Sequence, residues 1–186
     1  MDFPRRLRTA WIAAAVAAAV VVGLPAHAKS AAEISRESNA ALKQLLSSNK
    51  AARALAASAR GILVFPTIIK GGFLFGGQFG EGALLERGRA TAFYRTVSAS
   101  YGLQAGVQKY GYALFLMNEG AVKYLNASDG WELGVGPTLT VVDEGFSGSL
   151  STTTARSDVY AFFFDQKGLM AGLGLQGTKL LRIHPN

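Results

Sequence analysis

The chain has 186 residues, a formal net charge of +7, 49% apolar composition and no cysteine. That length fits one domain, alone or behind a processed segment, and the missing cysteine excludes disulfide staples, thiol catalysis and the lipidated cysteine of a bacterial lipoprotein. Histidine occurs only at His27 and His184, so Ser/His/Asp triads and His/Cys zinc sites are nearly excluded as well.

Residues 1–28 have the layout of a secretory signal peptide. Arg5, Arg6 and Arg8 form a positive n-region, Trp11 to Leu24 an apolar stretch, and Ala26-His27-Ala28 a small-x-small cleavage site after Pro25. The apolar stretch is shorter than the roughly 20 residues a spanning helix needs. Cleavage after Ala28 would leave 16 basic and 11 acidic residues, a net charge of +5. The expected location is exported, periplasmic or secreted.

Residues 29–60 contain no glycine and are rich in Ala, Leu, Lys, Arg and Glu, which are good helix formers. Ser47-Ser48-Asn49 carries N-cap chemistry, and Leu46 and Leu55 fall on opposite sides of any single straight helix. Two helices are therefore expected, about 31–47 and 50–59, forming a helical arm.

From Gly61 onward there are 21 glycines with aromatic and β-branched residues between them. Gly61–Phe65 reads as a strand ended by Pro66, and Gly71–Phe79 as an alternating strand that turns at Gly80-Glu81-Gly82 into Ala83–Arg87. Further strands are expected at Thr91–Val97, Ala99–Gln108, Tyr110–Met117, Trp131–Val142, Asp158–Asp165 and Leu169–Gln176, and a loop at 145–157. Asn118 to Asn126 reads as a short helix capped by Asn118, with Ala121, Val122 and Leu125 inward. The expected fold is α+β: the arm packed on an antiparallel, glycine-rich, strongly coiled or barrel-like sheet. Glycines on one strand face mark bulges or close backbones, or else a face left open for an acyl chain.

Catalytic patterns are sparse. Gly172-Leu-Gly174-Leu-Gln-Gly177 matches G-x-G-x-x-G, but only nine residues follow it, too few for the rest of a dinucleotide site. No phosphate loop or nucleophile elbow occurs. Asp143, Glu144, Asp158 and Asp165 lie near strand ends, where a pair would suit a carboxylate-based hydrolase, and where acidic residues are usually turn or solvent residues. No catalytic residue, metal site or cofactor is expected.

Charge is the informative feature. The arm carries +4, from Lys29, Arg36, Lys43, Lys50, Arg53 and Arg60 against Glu33 and Glu37, while residues 61–186 carry +1. Arg36, Lys43, Lys50, Arg53 and Arg60 would share about 120° of arc on a continuous helix. Each cation held near an anionic bilayer contributes about 1 kcal/mol; the bland alternative is a solvated helix face, and a break at 47–49 would shift the two halves. Lys70-Gly71-Gly72 offers a turn with one cation for a phosphate, or simply starts a strand. Nucleic acid is a poor partner for an exported chain with a near-neutral body.

Several motifs together resemble the SYLF domain family. They are Gly61-Ile-Leu-Val-Phe-Pro66, Lys70-Gly-Gly-Phe-Leu-Phe-Gly-Gly-Gln-Phe-Gly-Glu-Gly82, Ala92-Phe-Tyr94, Tyr101-Gly-Leu-Gln-Ala-Gly-Val-Gln108, Leu116-Met-Asn118, and Asp158-Val-Tyr-Ala-Phe-Phe-Phe-Asp-Gln-Lys-Gly-Leu-Met-Ala-Gly172. With the arm, the resemblance spans 29–186. It implies lipid binding: eukaryotic relatives bind phosphoinositides through a basic N-terminal segment and lysines, and fungal relatives also bind actin filaments. Bacterial relatives are commonly exported. Many relatives have a Trp-Ser-x-Pro-like stretch where this chain has Gly88-Arg89-Ala90-Thr91. What transfers to an exported chain is affinity for an anionic phospholipid or a lipopolysaccharide phosphate. The expected head-group residues are Arg36, Lys43, Lys50, Arg53 and Arg60, joined by Lys70, Arg87 and Arg89. An envelope protein–protein interaction module is the alternative.

Overall fold

A computed structural model describes residues 29–73, 75–101, 106–127, 130–142, 156–167, 175 and 177–186. The first helix, α1 (Ala31–Ser48), starts where the Ser30 side chain accepts from the Glu33 amide at 3.2 Å, an N-cap with an acidic first turn. Its buried residues Ile34, Ser38, Ala41 and Leu45 recur at helical spacing. Asn49 is extended, and its Oδ1 accepts from the Ala52 amide at 2.9 Å to start α2 (Lys50–Ala56). The expected break is therefore present, though α2 stops short of residue 59.

Eight strands follow: β1 (Gly61–Phe73), β2 (Phe75–Glu86), β3 (Arg89–Tyr101), β4 (Gly106–Leu116), β5 (Trp131–Glu132), β6 (Leu139–Val142), β7 (Val159–Lys167) and β8 (Lys179–Ile183). The third helix, α3 (Glu119–Ala127), lies between β4 and β5, and Asn118 Oδ1 accepts from the Ala121 amide at 2.9 Å as its cap. The strands form one strongly curled, half-barrel sheet in the order β5-β8-β3-β2-β1-β4-β7-β6. The α+β class with two helices on a coiled sheet stands as expected. One pairing departs from the antiparallel rule: β6 runs parallel to β7.

Several strand boundaries differ from expectation, and Gly71–Phe79 is not one strand but divides between β1 and β2. Pro66 does not end β1; the pairing shifts between Val64 and Thr67, and this bulge takes in the residue that has no N–H to give a ladder. Gly80-Glu81-Gly82 is not a turn but lies inside β2. The bulge presses β1 backbone against it: a Cβ on Gly80 would lie 2.6 Å from Thr67 O, and one on Gly82 would overlap Val64 O and meet Phe65 Cδ1 at 2.7 Å. Trp131–Val142 divides into β5 and β6 at opposite sheet edges, with Gly134 (φ 97°) and Gly136 (φ 86°) between them. Ala99–Gln108 likewise divides between β3 and β4, and β8 was not anticipated. The expected signal peptide, Asp143-Glu144, most of the 145–157 loop and most of the Leu169–Gln176 strand lie outside the described residues.

Alternation along the strands gives the sheet two covered faces. Ile62, Val64, Ala83, Leu85, Ala113, Phe115 and Phe162 pack under α1 and α2. Leu63, Phe65, Leu84, Tyr94, Tyr112 and Leu114 face the other way, with Ala121 and Leu125 of α3 and with Trp131. Three hydrogen bonds join polar groups inside that second core: Tyr112 Oη donates to Thr96 Oγ1 (2.8 Å), Tyr110 Oη to Gln78 Oε1 (2.7 Å) and Gln78 Nε2 to Thr178 Oγ1 (3.1 Å). Burial pushes the Tyr110 phenol up to about 12, and raises those of Tyr94 and Tyr112.

Candidate functional site

The arm turns its charge outward. Arg36, Lys43, Lys50, Arg53 and Arg60 are all exposed, and on α1 Arg36 and Lys43 lie about 180° around the helix from the stripe on the sheet. They do not form one stripe. The Asn49 break reorients α2, and Arg53 folds back to donate from Nε to Leu46 O and from Nη2 to Ser47 O, each at 2.8 Å. Its guanidinium closes the C-terminus of α1, where the last carbonyls have no intrahelical partner. Lys29 pairs with Glu37.

A different grouping emerges from tertiary structure. Beside the arm is a cleft of about 1120 Å³, slightly larger than the usual small-molecule site. Its apolar lining comes from Leu42 and Leu46 of α1, Ala56 and Ala59 of the arm's end, Ile62 and Leu85 of the sheet, and Val122 of α3. Its charged lining comprises Arg60, Arg87, Arg89 and Lys123, against Glu86 and Glu119. Among the described residues none of these six charges is in an ion pair.

Each rim cation has a local structural cause. The Arg60 amide donates to Leu116 O at 2.8 Å, which holds the residue against the end of β4 where α3 begins. Arg87 and Gly88 form the two-residue connection between β2 and β3, closed by the Glu86–Arg89 pair. Both have positive φ, 52° and 77°, the pattern of a type I′ hairpin turn. Arginine is an unusual occupant of a left-handed position that Asn, Asp and Gly fill more readily. Lys123 is exposed on α3, next to Val122 of the cleft floor. Sequence reading did not single it out, because no spacing links it to Arg60 or Arg87.

Three of the eight expected cations, Arg60, Arg87 and Arg89, thus converge with Lys123. Arg36, Lys43, Lys50 and Arg53 are not in the lining. Lys70 sits apart from both sets. It is opposite Gln78 and Gln108 in the sheet, on the face away from the helical arm, and half-buried.

The carboxylates are structural where they are described. Asp158 accepts from Thr138 Oγ1 (2.7 Å), Thr138 N (2.8 Å) and Asn118 Nδ2 (2.6 Å), and these donors, Thr138 first, hold its pKa below the usual carboxylate range. It ties the cap of α3 to the start of β7. Asp165 is exposed and accepts from Gln44 Nε2 at 3.0 Å. Among the described residues no three His, Asp or Glu side chains converge as a metal site would require, and no helix is long and apolar enough to cross a membrane.

Residues 97–183 match the family model described as Ysc84, Las17-binding protein actin regulator. Over these residues the chain is similar to the SYLF family that its motifs resemble. The SYLF match runs from within β3 to the end of β8, so it supplies Glu119, Val122 and Lys123 to the cleft. The arm and the β2–β3 hairpin, which supply Arg60, Arg87 and Arg89, precede it. No curated protein matches the chain. A SYLF domain is a binding domain, which fits a non-catalytic function.

Proposed function

We propose that this domain binds anionic lipid without catalysis, in the bacterial envelope after export, with the cleft beside the arm as its head-group site. The carrying observation is one cleft whose lining joins apolar side chains to Arg60, Arg87, Arg89 and Lys123, a cationic excess over Glu86 and Glu119. An amphiphile with a phosphate head satisfies both halves at once: its chain covers Leu42, Leu46, Ile62 and Val122, while its charge meets unpaired cations. A neutral ligand would leave the excess of cations over Glu86 and Glu119 without a counter-charge. Arg36, Lys43 and Lys50 would add a diffuse, salt-screened attraction to a lipid surface. Phosphatidylglycerol, cardiolipin or a lipopolysaccharide phosphate would supply such a head group.

A partner that adds a strand to the sheet is less favoured, because the two edge strands among the described residues, β5 and β6, are only 2 and 4 residues long. The test is calorimetric titration with dodecyl phosphate and with dodecylphosphocholine, below their micelle concentrations, alongside vesicle co-sedimentation over a range of salt. Preference for the anionic amphiphile, weakening with salt and loss in Arg89→Glu with Lys123→Glu are expected. Equal affinity for both amphiphiles, or none for either, would overturn the cleft reading.

A further inference from the structure

Among the described residues, the sheet face that carries α1 and α2 is covered over only part of its length. The helices pack on Ile62, Val64, Ala83 and Leu85. Beyond the Pro66 bulge the same face continues into Ile69, Phe79 and Val107, which are 54%, 46% and 69% exposed. These are three of the few large apolar side chains that the described residues leave in solvent.

Strand register places them in an ordered array. Lys179, Val97, Phe79, Ile69, Lys109 and Lys167 are successive cross-strand neighbours over β8, β3, β2, β1, β4 and β7. The row is an apolar centre with lysine on both flanks, roughly 24 Å across at the usual strand spacing. In the next row toward the β1–β2 hairpin, Gly71 lies between Gly77 and Val107. A Cβ at Gly71 would meet nothing closer than 3.6 Å, and one at Gly77 only Ser98 O at 3.3 Å. Gly71 has room for a Cβ, and the approach at Gly77 is far looser than at Gly80 or Gly82. Gly71 and Gly77 keep the face low, so Ile69, Phe79 and Val107 stand clear of it.

The charges are left uncompensated on one flank. Lys109 and Lys167 face each other across β4 and β7 with no ion pair among the described residues, and like charges directly opposite destabilise a sheet. Glu81 is held by Arg95 at 2.9 Å, whose guanidinium also lies 5.2 Å over the Phe79 ring. Glu132, opposite Lys179, is the carboxylate at the far flank.

We propose that this uncovered part of the face seats on an anionic bilayer, with Ile69, Phe79 and Val107 in the interfacial layer and Lys109, Lys167 and Lys179 at the head-group phosphates. An apolar centre inside a cationic border matches the layering of a membrane interface. The inference rests on the anionic-lipid reading above but on none of the cleft residues, since Ile69 follows Ile62 by about 23 Å of extended strand.

The absence of cysteine makes the test direct. Val107→Cys and, as a control on the outer side of α1, Ala40→Cys each give one thiol for an environment-sensitive fluorophore. The full mature domain is mixed with phosphatidylglycerol–phosphatidylcholine vesicles and with pure phosphatidylcholine vesicles. A blue shift at 107 only with the anionic vesicles, and a roughly 30-fold fall in partitioning for Lys109→Ala with Lys167→Ala, are expected. A silent label at 107 on vesicles that the protein does bind, with a shift at 40, overturns this face and leaves the cleft standing. Binding of poly-glutamate but not of vesicles overturns it in favour of an acidic protein partner. Loss of all vesicle binding overturns it too, and the dodecyl phosphate titration then decides the cleft independently. Unchanged circular dichroism in each variant shows that the fold is intact, as expected for exposed positions.

Discussion

Replacing Arg87 by Asn should move stability and ligand binding in opposite directions. Arg87 holds φ 52° in a two-residue hairpin with Gly88 at 77°, and a side chain with an ordinary Cβ costs about 1–2 kcal/mol in the left-handed region. Asn is among the residues that tolerate that region best, because its short amide bonds locally to the backbone. Arg87→Asn should therefore stabilise the domain by about 0.5–1 kcal/mol, raising Tm by roughly 1–4 °C for a chain of this size. The same change removes one cation from the cleft rim, worth about 1 kcal/mol beside an anionic surface, or roughly fivefold in affinity. Thermal and urea unfolding measure the first effect, and titration with dodecyl phosphate or anionic vesicles the second. A lower Tm would mean that the Arg87 side chain itself holds the hairpin, and an unchanged affinity would mean that its charge does not reach the ligand. Either result refutes the view that strain is tolerated here for the sake of the cleft.

Arg53→Ala should lower stability by about 1 kcal/mol, since it frees two exposed α1 carbonyls, while affinity for dodecyl phosphate stays the same; a binding loss without a stability loss would return Arg53 to the ligand site. Gly82→Ala should destabilise by roughly 2–3 kcal/mol in urea, because its Cβ collides with the β1 backbone at the bulge, and a cost no larger than at an exposed strand position would show that β1 has room to move. Phenolate absorbance should show Tyr94, Tyr110 and Tyr112 titrating late. Burial raises their folded pKa values, so the unfolded chain ionises first, and the stability present below pH ~10 should fall as pH rises toward about 12, the folded value of Tyr110. Ordinary titration of these phenols would contradict the closed second core.

Several features were open to sequence reading because they depend on neighbours in the chain. Ser30, Asn49 and Asn118 each cap the helix that follows, and a cap is a contact over two or three residues. The glycine-free arm, the break before Lys50 and the glycine-rich body are local in the same sense, and the SYLF motifs are ordered strings. What bears on function is not local. Pro66 looked like the end of a strand until β2 and β4 were seen to pair on both sides of it, and Gly80 and Gly82 looked like a turn until the bulge was found to press against them. β8 is a 5-residue strand whose place depends on β3, more than 80 residues earlier. The arm's basic residues share a stripe only on a continuous helix, and the cations that converge come instead from residues 60, 87, 89 and 123. Caps and periodicity are written in short-range chemistry, whereas a cleft or a cross-strand row exists only after distant strands have chosen their register, and no spacing along the chain records that choice.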